Sequence, residues 1–154
     1  MLIKVSKSLT LLVLAFVFFS FSKNIYLETE QKNELKEIYQ EKPSRKSIQA
    51  GYILYTANCV RCHESSGIDK MNLFPPLAKS DYLLKDQKRA IKIVLFGAKG
   101  SMKVNGKIYR GKMSGESHLS DREVADLMNY INHSWGNKGK ITTKSMVKKI
   151  RESR

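Results

Sequence analysis

Cys59-Val60-Arg61-Cys62-His63 contains both cysteines of the chain, spaced by two residues, with a histidine directly after the second. C-x-x-C-H is the attachment pattern of a c-type haem. Two thiols one helical turn apart can each add to one of the two vinyl groups on a single porphyrin edge, and His63 is then directed at the iron. Three other chemistries use paired cysteines. A structural zinc wants four ligands, and here only the distant His118 and His133 remain to complete a set. A thioredoxin-like redox pair wants a βαβ context, which the chain lacks. A plain Cys59–Cys62 disulfide leaves His63 without a reason. Covalent haem c, with His63 bound to its iron, accounts for all three residues.

Haem iron needs a sixth ligand or an open position. A thioether is a soft neutral donor that favours Fe(II) and raises the potential of a His-ligated haem, so the six methionines are the candidates. Met1 belongs to the N-terminal signal, Met128 to a core stripe and Met146 to the C-terminal tail. Met71 is only eight residues past His63, too close to reach the opposite haem face comfortably, and Met102 lies in an alternating hairpin where packing explains it. Met113 sits in Gly111-Lys112-Met113-Ser114-Gly115, a glycine-flanked loop able to fold over a flat cofactor. It is the expected second ligand, with Met71 and Met102 as rivals and His118 or His133 as the bis-histidine alternative.

Around this centre the sequence predicts short helices. Ile48, Tyr52, Tyr55 and Cys59 form one stripe of a helix running from about Ser47 into the cysteines, and Ala90, Ile91, Val94 and Leu95 share a face of Gln87 to Phe96. Ser120 followed by Glu123 is a capping box, and Val124, Leu127, Met128, Ile131 and Trp135 form the stripe behind it. Met102 to Tyr109 alternates about Asn105-Gly106, a two-residue hairpin turn. The predicted fold class is all-α: short helices and loops around one haem, with a single ribbon.

The 154 residues suit one domain, and the net charge of +14 is unevenly spread. Residues 1–22 read as a signal peptide. Lys4 and Lys7 precede a 13-residue apolar run from Leu9 to Phe21, about 20 Å as a helix against the roughly 30 Å of a bilayer core. An uncleaved N-terminal anchor is the alternative. Residues 23–45 are a charge-balanced linker, with some helix expected about Leu35 to Tyr39. Residues 46–136 form the domain, with 14 basic and 8 acidic residues, and are few enough that an apolar core alone is marginal. Residues 137–154 carry seven basic residues and one acid and read as a disordered basic tail.

From about Ile48 to Asn137 the sequence resembles a small class I c-type cytochrome of the monohaem bacterial kind. The matching residues are Gly51-Tyr52 and Tyr55 leading into CVRCH, Phe74-Pro75-Pro76-Leu77, Val104-Asn105-Gly106, Tyr109-x-Gly111-x-Met113, Leu119-Ser120-Asp121 and Tyr130 to Asn137. Domains similar to this serve as soluble carriers and as cytochrome subunits of alcohol dehydrogenases, nitrite reductases and haem-copper oxidases. The resemblance implies the cytochrome c fold, thioether bonds from Cys59 and Cys62, and axial ligation of iron by His63 and Met113. It further implies that the Pro75 carbonyl accepts a proton from the His63 ring, that Leu77 packs on the haem, and that Gly51 lets the helix bearing Tyr130 approach. Two positions depart from the pattern: Ser114 follows Met113 where proline is usual, and Glu64 follows His63 where glycine is common.

The expected function is therefore that of an exported, periplasmic electron carrier, not itself an enzyme, that transfers single electrons by outer-sphere transfer at the haem edge. The alternatives are a haem protein with an open or labile sixth site, acting as small-ligand sensor or peroxidase, and an obligate electron-transfer subunit of a larger oxidoreductase. No acid lies between Asp86 and Glu116, whereas Lys88, Arg89, Lys92, Lys99, Lys103, Lys107, Arg110 and Lys112 are basic. That run suits an acidic redox protein or oxidoreductase complex as partner. For an exported chain the basic charge reads against nucleic acid, and membrane association through the N-terminus or basic tail is the other expectation.

Overall fold

The computed structural model describes residues 42–153 together with Glu28 and Glu30. The expected signal peptide and most of the expected linker, including its helix about Leu35, lie outside the described residues. By internal packing the chain divides into Met1–Gln40 and Glu41–Arg154, and the second unit is described below.

Helix α1, Arg45–Asn58, starts where the Ser44 hydroxyl accepts the Ser47 N–H at 3.1 Å. After Cys59 a short helix α2, Val60–His63, continues the chain. Two further helices follow, α3 (Asp81–Lys85) and α4 (Gln87–Phe96), capped by the Ser80 hydroxyl and the Asp86 carboxylate respectively. Strands β1, Ala98–Val104, and β2, Lys107–Met113, pair antiparallel from Ala98↔Met113 to Val104↔Lys107 about the Asn105-Gly106 turn. Helix α5, Asp121–His133, opens with the expected capping box: the Ser120 side chain accepts the Glu123 N–H, and the Glu123 carboxylate accepts the Ser120 N–H at 2.8 Å. With a sixth helix, Lys144–Glu152, near the C-terminus, the architecture among the described residues is six helices and one two-stranded ribbon, as the all-α reading expects. None of these helices is long and apolar enough to cross a membrane.

The core gathers where the predicted stripes meet. Ala90, Ile91, Val94 and Leu95 of α4 and Val124, Leu127, Met128 and Ile131 of α5 are all buried, together with Tyr55 of α1. Each fully buried aliphatic side chain contributes about 1.5–3 kcal/mol. Tyr52 departs from its predicted stripe and is exposed. Helices α1 and α5 cross at Gly51, where an added Cβ would lie 2.0 Å from the Asp126 carbonyl oxygen and 2.7 Å from the Tyr130 Cβ. Beside the crossing, the Ser47 hydroxyl donates to Asp126, and the Asn129 side chain donates to Ser47 at 3.1 Å.

The expected disordered tail is corrected. Residues 144–152 form helix α6, Lys144–Glu152, capped by the Thr143 hydroxyl, with Val147 fully buried and Ile150 nearly so. The strand of chain leading to it is held by side chains: the Asn129 amide exchanges hydrogen bonds with the Thr142 backbone at 2.7 and 3.0 Å, and Gln87 donates to the Ile141 carbonyl at 2.8 Å. Two apolar residues at helical spacing suffice to dock the helix, and they are few enough to be masked by the surrounding lysines in any composition-based reading. The domain therefore extends past 136 and includes this helix.

Candidate haem-binding site

The last turn of α1 and the whole of α2 bring the two thiols and the imidazole onto one short stretch of helical chain. The Cys59 N–H donates to the Tyr55 carbonyl at 2.8 Å, and the Cys62 and His63 N–H groups donate to the Cys59 carbonyl at 3.1 and 2.9 Å. Both cysteines are free thiols, half-buried. Burial, aided by the nearby Glu116 carboxylate and Cys62, pushes the Cys59 thiol up to about 12. That is the reverse of the lowered value that makes an attacking thiol in a redox pair. Among the described residues no three His, Cys, Asp or Glu side chains group as a metal site, so the cysteines do not extend into a zinc ligand set.

His63 is buried. Its Nδ1 lies 3.1 Å from the Pro75 carbonyl oxygen, and since a carbonyl only accepts, the ring carries its proton on Nδ1 and keeps the Nε2 lone pair. Burial lowers the His63 pKa, opposed by the Pro75 hydrogen bond and the Asp69 charge. A buried, neutral imidazole with one nitrogen fixed by a carbonyl and the other unprotonated is the arrangement of a metal-ligating histidine. The donor set therefore fits a haem: two thiols and an oriented imidazole within five residues.

Residues 64–80 form the wall beside His63, and most of its anchors are remote in sequence. The Tyr55 hydroxyl donates to the Glu64 carbonyl at 2.6 Å, and the Trp135 indole donates to the Ser65 carbonyl at 2.9 Å. The Asn137 amide donates to the Leu77 carbonyl and accepts the Lys79 N–H. Tyr55, Tyr130 and Trp135 pack ring to ring with centroids 5.2–5.6 Å apart. Within the wall, the Asp69 carboxylate accepts the N–H groups of Phe74, Leu73 and Met71 at 2.9, 2.6 and 3.0 Å, and the Phe74 bond above all holds its pKa down. This carboxylate shapes the chain that carries Phe74 and Pro75 toward His63. Asp69 is absent from the site read in the sequence, although an aspartate capping N–H groups two to five residues ahead is a local signal. The Phe74 ring stands edge-on to the His63 ring, centroids 6.3 Å apart. Leu77, half-buried, packs against the core cluster.

Met113 is placed differently from the expected loop. It is the last residue of β2, paired with Ala98, and is half-buried. The glycines on either side do not release it from the ribbon because the backbone pairing continues through Lys112. Only from Ser114 onward is the chain a loop. The rivals are distributed in ways that weaken them. Met71 is 75% exposed, Met128 is fully buried in the core, and Met102 is paired with Tyr109 in mid-ribbon. His118 is exposed beside Glu116, and the His133 ring bonds the Asn129 carbonyl of its own helix.

Glu64 adopts φ 54°, ψ 168°, backbone that glycine tolerates and other residues enter only under strain. The sequence departure at this position thus has a backbone cost. The basic run is also divided by the fold. Arg89 stacks on the Tyr82 ring at 3.7 Å and pairs with Asp86, so it serves structure. Lys107 lies over the Tyr109 ring on one face of the ribbon, while Lys99, Lys103, Arg110 and Lys112 share the opposite face and are exposed.

The family model described as Cytochrome c matches residues 48–135. The chain is similar to cytochrome c-552 of Thermus thermophilus, 36% identical over 104 aligned positions, a match that covers 62% of this chain and 79% of that protein. It is also similar to the cytochrome c subunit of alcohol dehydrogenase (quinone) from Gluconobacter oxydans, 34% identical over 106 aligned positions, a match that covers 66% of this chain but 22% of that subunit.

Proposed function

The chain belongs to the cytochrome c family, whose members bind one covalent haem c and carry electrons without being enzymes themselves, and we propose that it is an exported carrier passing single electrons between respiratory redox partners. In this reading Cys59 and Cys62 would hold the haem through thioether bonds, His63 and Met113 would ligate its iron, and Pro75 and Leu77 would complete the haem-binding residues. When bound, the haem supplies a one-electron iron couple. The observation that carries the reading is the Nδ1 contact of His63 with the Pro75 carbonyl, which leaves Nε2 free on the same turn as both thiols.

The chain's own residues do the remaining work. Burial disfavours the protonated form of the His63 ring, which suits a group that must present a lone pair. The Tyr55, Trp135 and Asn137 hydrogen bonds hold the wall that orients it. Met113, a neutral soft donor, favours the reduced iron. The outer ribbon face steers the partner: Lys99 and Lys112 lie directly across from each other, a like-charge pairing that costs stability in the free protein and is relieved by an acidic partner. Encounter then slows as salt screens the charges. The likeness to an alcohol dehydrogenase subunit supports an oxidoreductase complex as that partner. Residues 1–22 serve export as a signal peptide or anchor, with 23–45 as linker.

Loss of the weak red-edge charge-transfer band of a sulfur–iron bond tests the assignment. Met113→Ala should erase the band from the oxidised protein and lower the potential, while Met71→Ala and Met102→Ala leave it. A band that survives Met113→Ala, or a wild-type protein that has none, overturns the ligand assignment and favours the open-site alternative.

A further inference from the structure

The segment from Ser114 to Ser120, which leads from Met113 to α5, is sparsely tied to the core. Ser114, Ser117, His118 and Ser120 are exposed, and Leu119 is its one buried apolar residue. At its near end Gly115 presses against the end of α4, where a Cβ would come within 2.6 Å of the Leu95 carbonyl oxygen, and the Glu116 N–H donates to the Val94 carbonyl at 2.7 Å. Its far half is held from another direction. Arg151, on the last turn of α6, donates from Nη1 to the Ser117 carbonyl at 3.1 Å, from Nη2 to the Leu119 carbonyl at 2.7 Å and from Nε to the Asp121 carboxylate at 2.7 Å. One planar guanidinium thus fixes two carbonyls of the segment and the first residue of α5. Its side chain is only 29% exposed and that of Asp121 19%.

We infer that Arg151 is a positioning residue for the iron's methionine ligand, and that the C-terminal helix serves as a strap holding the Met113 segment closed. The inference rests on the proposed ligation by Met113. A thioether is a weak neutral ligand, and its occupancy of the iron depends on how much freedom its backbone regains on release. With Ala98↔Met113 pairing and Gly115 packing on one side and the Arg151 fork on the other, residues 114–119 have little freedom to gain. Val147 and Ile150 dock α6 on the core, which gives the fork a rigid base. Lysine would not replace it, because a single ammonium lacks the planar set of donors that meets three acceptors at once. The C-terminal residues, remote in sequence from CVRCH and from Met113, would in this way set how readily the sixth position opens.

Imidazole titration of the oxidised holoprotein, followed at the sulfur–iron band, reads this opening directly. Arg151→Lys and Arg151→Ala should each bind imidazole about tenfold more tightly than wild type, of the order of one lost charge-assisted hydrogen bond. Val104→Ala, buried at the far end of the ribbon from Met113 and making none of these hydrogen bonds, provides a control that lowers thermal stability; it should stay within about twofold of wild type. Arg151 variants that bind imidazole like wild type, or a Val104→Ala that shifts as far as they do, would overturn the positioning role. A wild-type protein with no sulfur–iron band would instead remove the Met113 assignment itself, and the role of Arg151 with it.

Discussion

Replacing Gly51 by alanine sets two effects of opposite sign against each other. In an exposed helix interior the change stabilises by about 1 kcal/mol, because alanine has the better helix propensity. Here the new Cβ would meet the Asp126 carbonyl oxygen at 2.0 Å and the Tyr130 Cβ at 2.7 Å, where ordinary contact begins at 3.4 Å. Both obstacles are close to the backbone of α5, so no side-chain rotation clears them and the helices must separate. Overpacking of this kind costs about 1–3 kcal/mol. Separation also stretches the Ser47–Asp126 and Asn129–Ser47 hydrogen bonds, and a bond to a charged group contributes about 1.5–3 kcal/mol. Set against the propensity gain, the net loss is about 2–4 kcal/mol. Guanidinium unfolding of the haem-loaded protein should show the midpoint falling by roughly 1 M at unchanged slope, taking a slope of about 3 kcal/mol/M. A midpoint that is unchanged or raised would mean that α1 and α5 do not cross at Gly51.

Three further outcomes are expected. Ile150→Ala should lower stability by about 2 kcal/mol, the low end for a buried isoleucine at the edge of a core, and chain termination after Asn137 should cost more; an unchanged melting temperature in either would restore the disordered tail. Glu64→Gly should raise stability by about 1 kcal/mol, since relief of roughly 1–3 kcal/mol of backbone strain exceeds the unfolded-state entropy of the new glycine, and a lower melting temperature would show that the positive φ carries no strain. The Glu123 pKa is held down by the Ser120 hydroxyl and N–H, so its share of stability is present above the ordinary value of 4.5 and is lost as pH falls through the lowered one. Glu123→Gln should therefore flatten the acid limb of a stability-against-pH curve, and an unaltered limb would remove Glu123 from it.

The parts of the fold written in local pattern were legible. Ala90, Ile91, Val94 and Leu95 occupy the predicted face of α4, and the Ser120 and Glu123 capping box starts α5 where expected. The ribbon is legible at its turn but extends further than its sequence pattern, because the alternation that marks it ends where Gly100, Ser101, Gly111 and Lys112 face solvent on both sides. The sequence therefore reads Met113 as a loop residue, whereas it ends β2. Helix α6 was missed because its docking rests on two apolar side chains and on the amides of Gln87 and Asn129, which no periodicity reveals. The site divides in the same way. CVRCH is contiguous and its chemistry can be read in place. The Asn137 bonds to Leu77 and Lys79 and the Arg151 fork join residues some 30 to 60 positions apart, and only the folded chain brings them together.

The central claim, a carrier whose iron is closed by His63 and Met113, is tested most directly by an optical redox titration of the purified holoprotein under argon and again under carbon monoxide. A carrier closed on both faces should titrate as a single one-electron couple with the same midpoint under both gases. A midpoint that rises under carbon monoxide would show the gas binding the reduced iron, and would contradict the account in favour of an open or labile sixth site.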